Sequence, residues 1–167
     1  MSKKLFIRNK LVSLKGHIAI TDEHDQEQYQ ARGSFALFYP RWRLFAAEAE
    51  LARLQRKIFV WSPTWQVKSK LGDFIIKKKL LSWFSRYRVI GGPFDGAEIT
   101  GNFWDLQFEI SHQLRVLAKA SGKLMSLRDR YAIELQQDDD NSELFTAIVM
   151  VAMLMHRRDR QQRQQGR

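Results

Sequence analysis

The chain has 167 residues, 44% of them apolar, which is enough to fill the core of one domain and too many for a wholly disordered chain. It contains no cysteine, which excludes disulfides and thiolate metal sites, and its formal charge of +10 directs attention to anionic partners. The charge is uneven: residues 51–90 hold ten Lys/Arg against Asp73 alone, while acids gather at 22–27 and 138–143.

From the N-terminus, Met1-Ser2-Lys3-Lys4-Leu5-Phe6-Ile7-Arg8 lacks the sustained apolar run of a secretory signal, so a cytoplasmic protein is expected. Period-two alternation then dominates to about residue 137. His17-Ile18-Ala19-Ile20, Trp65-Gln66-Val67-Lys68-Ser69-Lys70-Leu71, Tyr87-Arg88-Val89 and Tyr131-Ala132-Ile133-Glu134-Leu135 read as strands with one buried face. Turn signals at Asp22-Glu23-His24-Asp25, Pro40, Ser62-Pro63, Gly72-Asp73, Gly91-Gly92-Pro93, Gly101-Asn102 and Gly122 divide them. Many short strands so spaced predict a sandwich or barrel. Phe45–Leu54 has helical propensity, but its setting calls for strand.

A loose repeat runs through this region. Lys57-Ile58, Lys79-Leu80 and Lys123-Leu124 are each followed, eight positions after the lysine, by an aromatic (Trp65, Tyr87, Tyr131), and ten positions after it by Val67, Val89 or Ile133. Lys10-Leu11 opens a weaker copy with Ile18 and Ile20. Both offsets are even, so the aromatic and the aliphatic residue share one face of a recurrent strand–turn–strand unit.

The C-terminal segment differs in kind. Asp138-Asp139-Asp140-Asn141-Ser142-Glu143 supplies caps and negative charge for a helix start, and Leu144–Met155 is apolar on every side. Twelve residues span about 18 Å as a helix, whereas a bilayer core needs about 30 Å. The helix is therefore expected to thread the β structure, with Leu144, Phe145, Ile148, Val149, Val151, Ala152 and Met155 in the core. Residues 1–157 form one domain in this reading, and 158–167 a disordered Arg/Gln-rich tail.

These features together resemble the LURP-one-related family. The resemblance rests on Lys10-Leu11-Val12-Ser13-Leu14 leading to Ile18-Ala19-Ile20-Thr21-Asp22, on Tyr29-Gln30-Ala31-Arg32-Gly33, on Lys57-Ile58-Phe59 with Ser62-Pro63 and Trp65-Gln66-Val67, and on Ile76-Lys77-Lys78-Lys79. Its best piece is Ile99-Thr100-Gly101-Asn102-Phe103-Trp104-Asp105, with Phe108-Glu109-Ile110 just after it, and Arg128-Asp129-Arg130-Tyr131-Ala132-Ile133-Glu134-Leu135 with the apolar helix closes the match. It implies a tubby C-terminal-like fold, shared with phospholipid scramblases: a closed antiparallel β-barrel of about twelve strands around the C-terminal helix. Where relatives turn acidic, this chain has Met153-Leu154-Met155-His156-Arg157-Arg158, which speaks against a calcium site of the kind suggested for scramblases.

The basic residues carry the functional expectation. A two-residue II′ turn at Gly72-Asp73 would pair Lys68 with Lys77 and place Lys68, Lys70, Lys77 and Lys79 on one outer face, extended by Arg86 and Arg88. An anion would relieve the repulsion there, although a solvated barrel face explains the same pattern. Trp61 and Trp83 flank the region near turns, where tryptophan beside lysine suits a membrane interface as well as a barrel wall.

For catalysis there is no GxSxG, phosphate loop or HExxH, and His17, His24, His112 and His156 are scattered. The Asp138–Asp140 run lacks the glycine and distal glutamate of an EF-hand. No catalytic residue, metal or cofactor is expected. The leading expectation is a non-enzymatic domain that binds anionic phospholipid, peripherally and with no transmembrane span. The alternatives are a protein-interaction module contacting an acidic protein surface and, ranked lower, scramblase-like lipid handling. Nucleic acid is disfavoured for want of any recognisable binding motif.

Overall fold

A computed structural model describes residues 2–8, 16–34, 41–57, 60–80, 85–123 and 130–165. Alternating apolar and polar residues form twelve strands: β1 (Lys4–Arg8), β2 (His17–Thr21), β3 (Glu27–Ser34), β4 (Arg41–Ala46), β5 (Ala49–Lys57), β6 (Thr64–Ser69), β7 (Phe74–Lys78), β8 (Arg86–Ile90), β9 (Glu98–Asn102), β10 (Gln107–His112), β11 (Arg115–Lys123) and β12 (Arg130–Leu135). Each strand pairs antiparallel with its chain neighbours, and β1 with β12 closes the barrel. Closure removes the exposed sheet edges that an open meander would present. The stretch with helical propensity is the β4–β5 hairpin, turning at Ala47 with φ 49°.

The repeat has a physical identity. Trp65/Val67, Tyr87/Val89 and Tyr131/Ile133 lie on β6, β8 and β12, and Ile18/Ile20 on β2; all are buried inside the barrel. These four strands run in the same direction, so the repeat marks one strand of each hairpin. Among the described residues the register shifts in four strand pairs, one of them between Ala120 and Gly122.

Helix α1 (Asp140–Gln165) threads the barrel. The Asp139 side chain accepts a hydrogen bond from Ser142 N (2.8 Å), so the acidic run caps the helix as its chemistry requires. Ser142 to His156 is buried throughout, including all seven residues expected in the core. Phe145 stacks on Phe94 (centroids 4.2 Å apart, planes at 11°) and tilts against Phe74 at 5.6 Å. At the far end His156 meets Tyr87, and the Arg157 guanidinium hydrogen-bonds the Tyr131 hydroxyl. α1 continues beyond its buried stretch to Gln165, and nothing after Arg157 breaks a helix before Gly166. Among the described residues no helix is long and apolar enough to cross a membrane.

The barrel thus has two rims. α1 enters at one, which carries the β2–β3, β4–β5, β6–β7, β8–β9 and β10–β11 turns. It leaves at the other, where the remaining connections lie. At the entry rim Glu143 accepts hydrogen bonds from Lys3 Nζ (2.7 Å) and the Tyr29 hydroxyl (3.1 Å), tying β1 and β3 to the helix start. Burial, reinforced by the Glu143 charge, pushes the Tyr29 hydroxyl well above the ordinary phenol range.

Candidate functional site

The hairpin expected to gather the lysines has a different register. Val67, not Leu71, pairs with Phe74, and Lys77 lies opposite Thr64. The cause lies on the neighbouring strand. Ser69 pairs with Ala52 of β5, and Lys70 N donates to Leu51 O (2.9 Å), so the end of β6 stays with β5. The turn is then closed by Ser69, whose Oγ donates to Gly72 O (2.8 Å) and accepts from Leu71 N (3.2 Å). The shift is an even number of residues, so the lysines still point outward, but the six basic residues separate.

Lys70 sits exposed in the entry-rim turn, and Lys68 faces Arg53 on β5. The other four stay together on β7, β8 and the connection between them. Lys77 lies directly opposite Arg88, both exposed. Lys79 Nζ donates to Glu98 Oε1 (2.8 Å), and Arg86 Nη1 approaches Glu98 Oε2 (3.6 Å). The Lys79 hydrogen bond, aided by the charges of Lys79, Arg86 and Arg88, holds the Glu98 carboxyl below its usual range against the opposing effect of burial. One carboxylate therefore serves a cluster of four cations.

This cluster borders the exit rim, where apolar side chains stand in water. Trp61 is 100% exposed, with Val60 at 43% and Leu80 at 62%. Trp83 lies outside the described residues. Lys57, at the end of β5, is exposed, and Arg157 is half-buried where the helix emerges. The entry rim is richer in acids: Asp22, Glu23, Asp25, Glu48, Asp73, Asp95, Asp138 and Asp139 occupy its connections. Lys3, Lys70 and Arg115 also lie there, Asp25 is ion-paired with Arg130, and Ile90 and Leu114 are exposed apolar residues at this end.

A second basic surface, which sequence reasoning did not assemble, occupies the wall formed by β2–β6. Here Arg32, Arg41, Arg43 and Arg53 line an open groove of about 1010 Å³ together with His17 and Lys68. The alternation Arg41-Trp42-Arg43 reveals two outward arginines. The meeting of residues from five strands depends on inter-strand register, which alternation does not encode. Gly33 allows the packing beneath: the indole of Trp42, its cross-strand partner, lies where a Cβ would stand.

Among the described residues no group of His, Asp or Glu is placed to hold a metal ion. The glycine-rich stretch 91–96 is a hairpin connection in which Asp95 Oδ1 accepts from Gly91 N (2.7 Å) and Phe94 covers the helix start. The motif Thr100-Gly101-Asn102-Phe103-Trp104-Asp105 is likewise a turn. Asn102 accepts from Trp104 N (3.0 Å) and donates to Asp105 Oδ2 (2.7 Å), while Phe103 packs against Tyr87.

The model of the LURP-one-related family matches residues 3–153. The chain belongs to the LURP-one-related family. Like this LURP-one-related barrel, a protein from Arabidopsis thaliana with an X-ray structure superposes over 93% of this chain and 90% of its own, with a TM-score of 0.60. At 10% sequence identity that likeness concerns the fold alone. No curated protein matches the chain.

Proposed function

We propose that this LURP-one-related domain is a non-enzymatic, peripheral module that docks end-on to anionic phospholipid through its exit rim. The observation that carries the reading is the exposure of Trp61 with Val60 and Leu80 beside Lys77, Lys79, Arg86 and Arg88. A folded domain gains little by leaving an indole wholly in water, whereas the headgroup region suits its apolar body and polar tip. Basic residues close to a charged membrane contribute about 1 kcal/mol each, so the four cations and the apolar side chains act together.

The distribution of charge supports the same orientation. Most of the acids in the connections lie at the entry rim and the β7–β8 cations lie toward the exit rim, so a negative surface favours approach by the exit end.

Vesicle flotation tests the reading. The chain is expected to float with vesicles containing phosphatidylserine and to remain in solution with neutral ones, and Trp61→Ala should sharply reduce recovery without altering the fold. Raised salt should weaken recovery, since exposed charges are screened within about 10 Å at 0.1 M. Equal recovery with neutral and acidic vesicles would overturn the proposal and leave the rim as a contact for another protein.

A further inference from the structure

The two walls of the barrel treat charge in opposite ways. On one, the outward row Arg86–Thr100–Glu109–Lys119–Glu134–Lys4 is built from direct cross-strand partners whose charges alternate, and Lys119 and Glu109 form an ion pair at 3.4 Å. On the other, His17 pairs with Arg32, Arg32 with Arg43, Arg43 with Arg53 and Arg53 with Lys68. This second row places basic residues on five adjacent strands with no acid in the row itself; Glu50, at the next outward position of β5, is the carboxylate that meets Arg43 and Arg53. Like charges directly opposite one another destabilise a sheet, and the first wall shows that this barrel accommodates the alternative.

The arginines of the row are also braced. Arg32 lies over the Phe45 ring (4.8 Å to the centroid) and Arg43 near it (5.8 Å), while Glu50 holds Arg53 through a short ion pair and approaches Arg43 at 3.9 Å. These contacts orient the planar forks. With Arg41 in the adjoining row they line the open groove, where Gln55 and Gln66 add neutral hydrogen-bonding amides.

We propose that this groove is a binding site for a compact polyphosphate, a group carrying several phosphates close together. Guanidinium forks match phosphate oxygens two at a time. At the strand spacing of about 4.8 Å the five positions span roughly 19 Å, too long for one phosphate to satisfy. Carboxylates on one face of an extended peptide recur only about every 6.6 Å and fall out of step with the row. Single-stranded nucleic acid needs exposed rings for stacking, but Trp42 and Trp65 are buried and Phe45 is covered by Arg32 and Arg43. The inference is independent of the exit-rim proposal, because it rests on the β2–β6 wall and not on Trp61.

Calorimetric titration of the full chain with inorganic tripolyphosphate tests it, with orthophosphate as comparison. Tripolyphosphate should bind at least about tenfold more tightly than orthophosphate, and the double variant Arg43→Gln/Arg53→Gln should lose about tenfold or more in affinity. A control pair on the far wall of the barrel, Arg115→Gln/Lys119→Gln on β11, removes the same formal charge and should leave binding unchanged. The groove variant should also gain less thermal stability from tripolyphosphate than the parent does. Equal weakening by both pairs, or equal binding by groove variant and parent, would overturn the site. Vesicles bearing a polyphosphorylated headgroup distinguish the source: displacement of tripolyphosphate assigns the groove to a lipid headgroup, no displacement to a free anion, and either upholds the site.

Discussion

Replacing Phe145 by alanine removes the ring on which the helix start is seated. The side chain is fully buried, stacked on Phe94 at 4.2 Å and tilted on Phe74 at 5.6 Å. Truncating a buried phenylalanine costs about 3–5 kcal/mol, and each aromatic pair adds about 0.5–1.5 kcal/mol beyond its area. Two such contacts place the loss near the top of the range, at about 4–5 kcal/mol. Domains of this kind hold only about 5–15 kcal/mol in all, so the variant should be marginal. Urea titration followed by tryptophan fluorescence reads the change as a lower midpoint at an unaltered slope, and thermal melting as a fall of roughly 8–20 °C. Met153→Leu, a near-isosteric change at another fully buried position of α1, should cost less than about 1.5 kcal/mol. A Phe145→Ala loss below about 1.5 kcal/mol would refute the reasoning, since a ring closed in by strands cannot vanish so cheaply.

Three further outcomes follow from single residues. Thr146 is fully buried and its Oγ1 has no hydrogen-bond partner among the described residues, so Thr146→Val should raise stability by about 1 kcal/mol; a loss of that size in urea titration would contradict the assignment. Gly33→Ala would bring a Cβ to 2.2 Å from the Trp42 ring, and overpacking of this sort costs about 1–3 kcal/mol; an unchanged melting temperature would show the indole lies elsewhere. Glu98 has a depressed carboxyl pKa, so its contribution is present above the ordinary carboxylate value and is lost as pH falls through the lowered one. Glu98→Gln should therefore cost about 0.5–1 kcal/mol at neutral pH and progressively less in acid, whereas a gap that stays constant with pH would argue against the ion pairs.

The architecture was legible because its signals admit few structural answers. A stretch apolar on every side, as Leu144–Met155 is, must be enclosed, and strands that alternate as Tyr87-Arg88-Val89 does must present one face to it. The spacing of Trp65, Tyr87 and Tyr131 even marked strands that run in one direction. The candidate site was less legible, for reasons of register. Gly72-Asp73 is competent for a two-residue turn, but Ser69 and Lys70 are retained by β5, a competition between neighbouring strands that no local motif expresses. Lys68 was thereby separated from Lys77. The same dependence hid the Arg32–Arg43–Arg53 row, whose members are distant in sequence and meet only when two registers are fixed together. Trp61 was recognisable as a turn residue, yet its exposure depended on the barrel interior being filled without it.

The absence of cysteine allows the orientation at a membrane to be read from single labels. A polarity-sensitive fluorophore placed by Leu80→Cys on the exit rim, and in a second variant by Leu114→Cys in the exposed entry-rim turn, reports each end separately. On addition of phosphatidylserine vesicles the account predicts a blue shift at position 80 and none at position 114. Equal shifts at both positions, or a shift at position 114 alone, would contradict it.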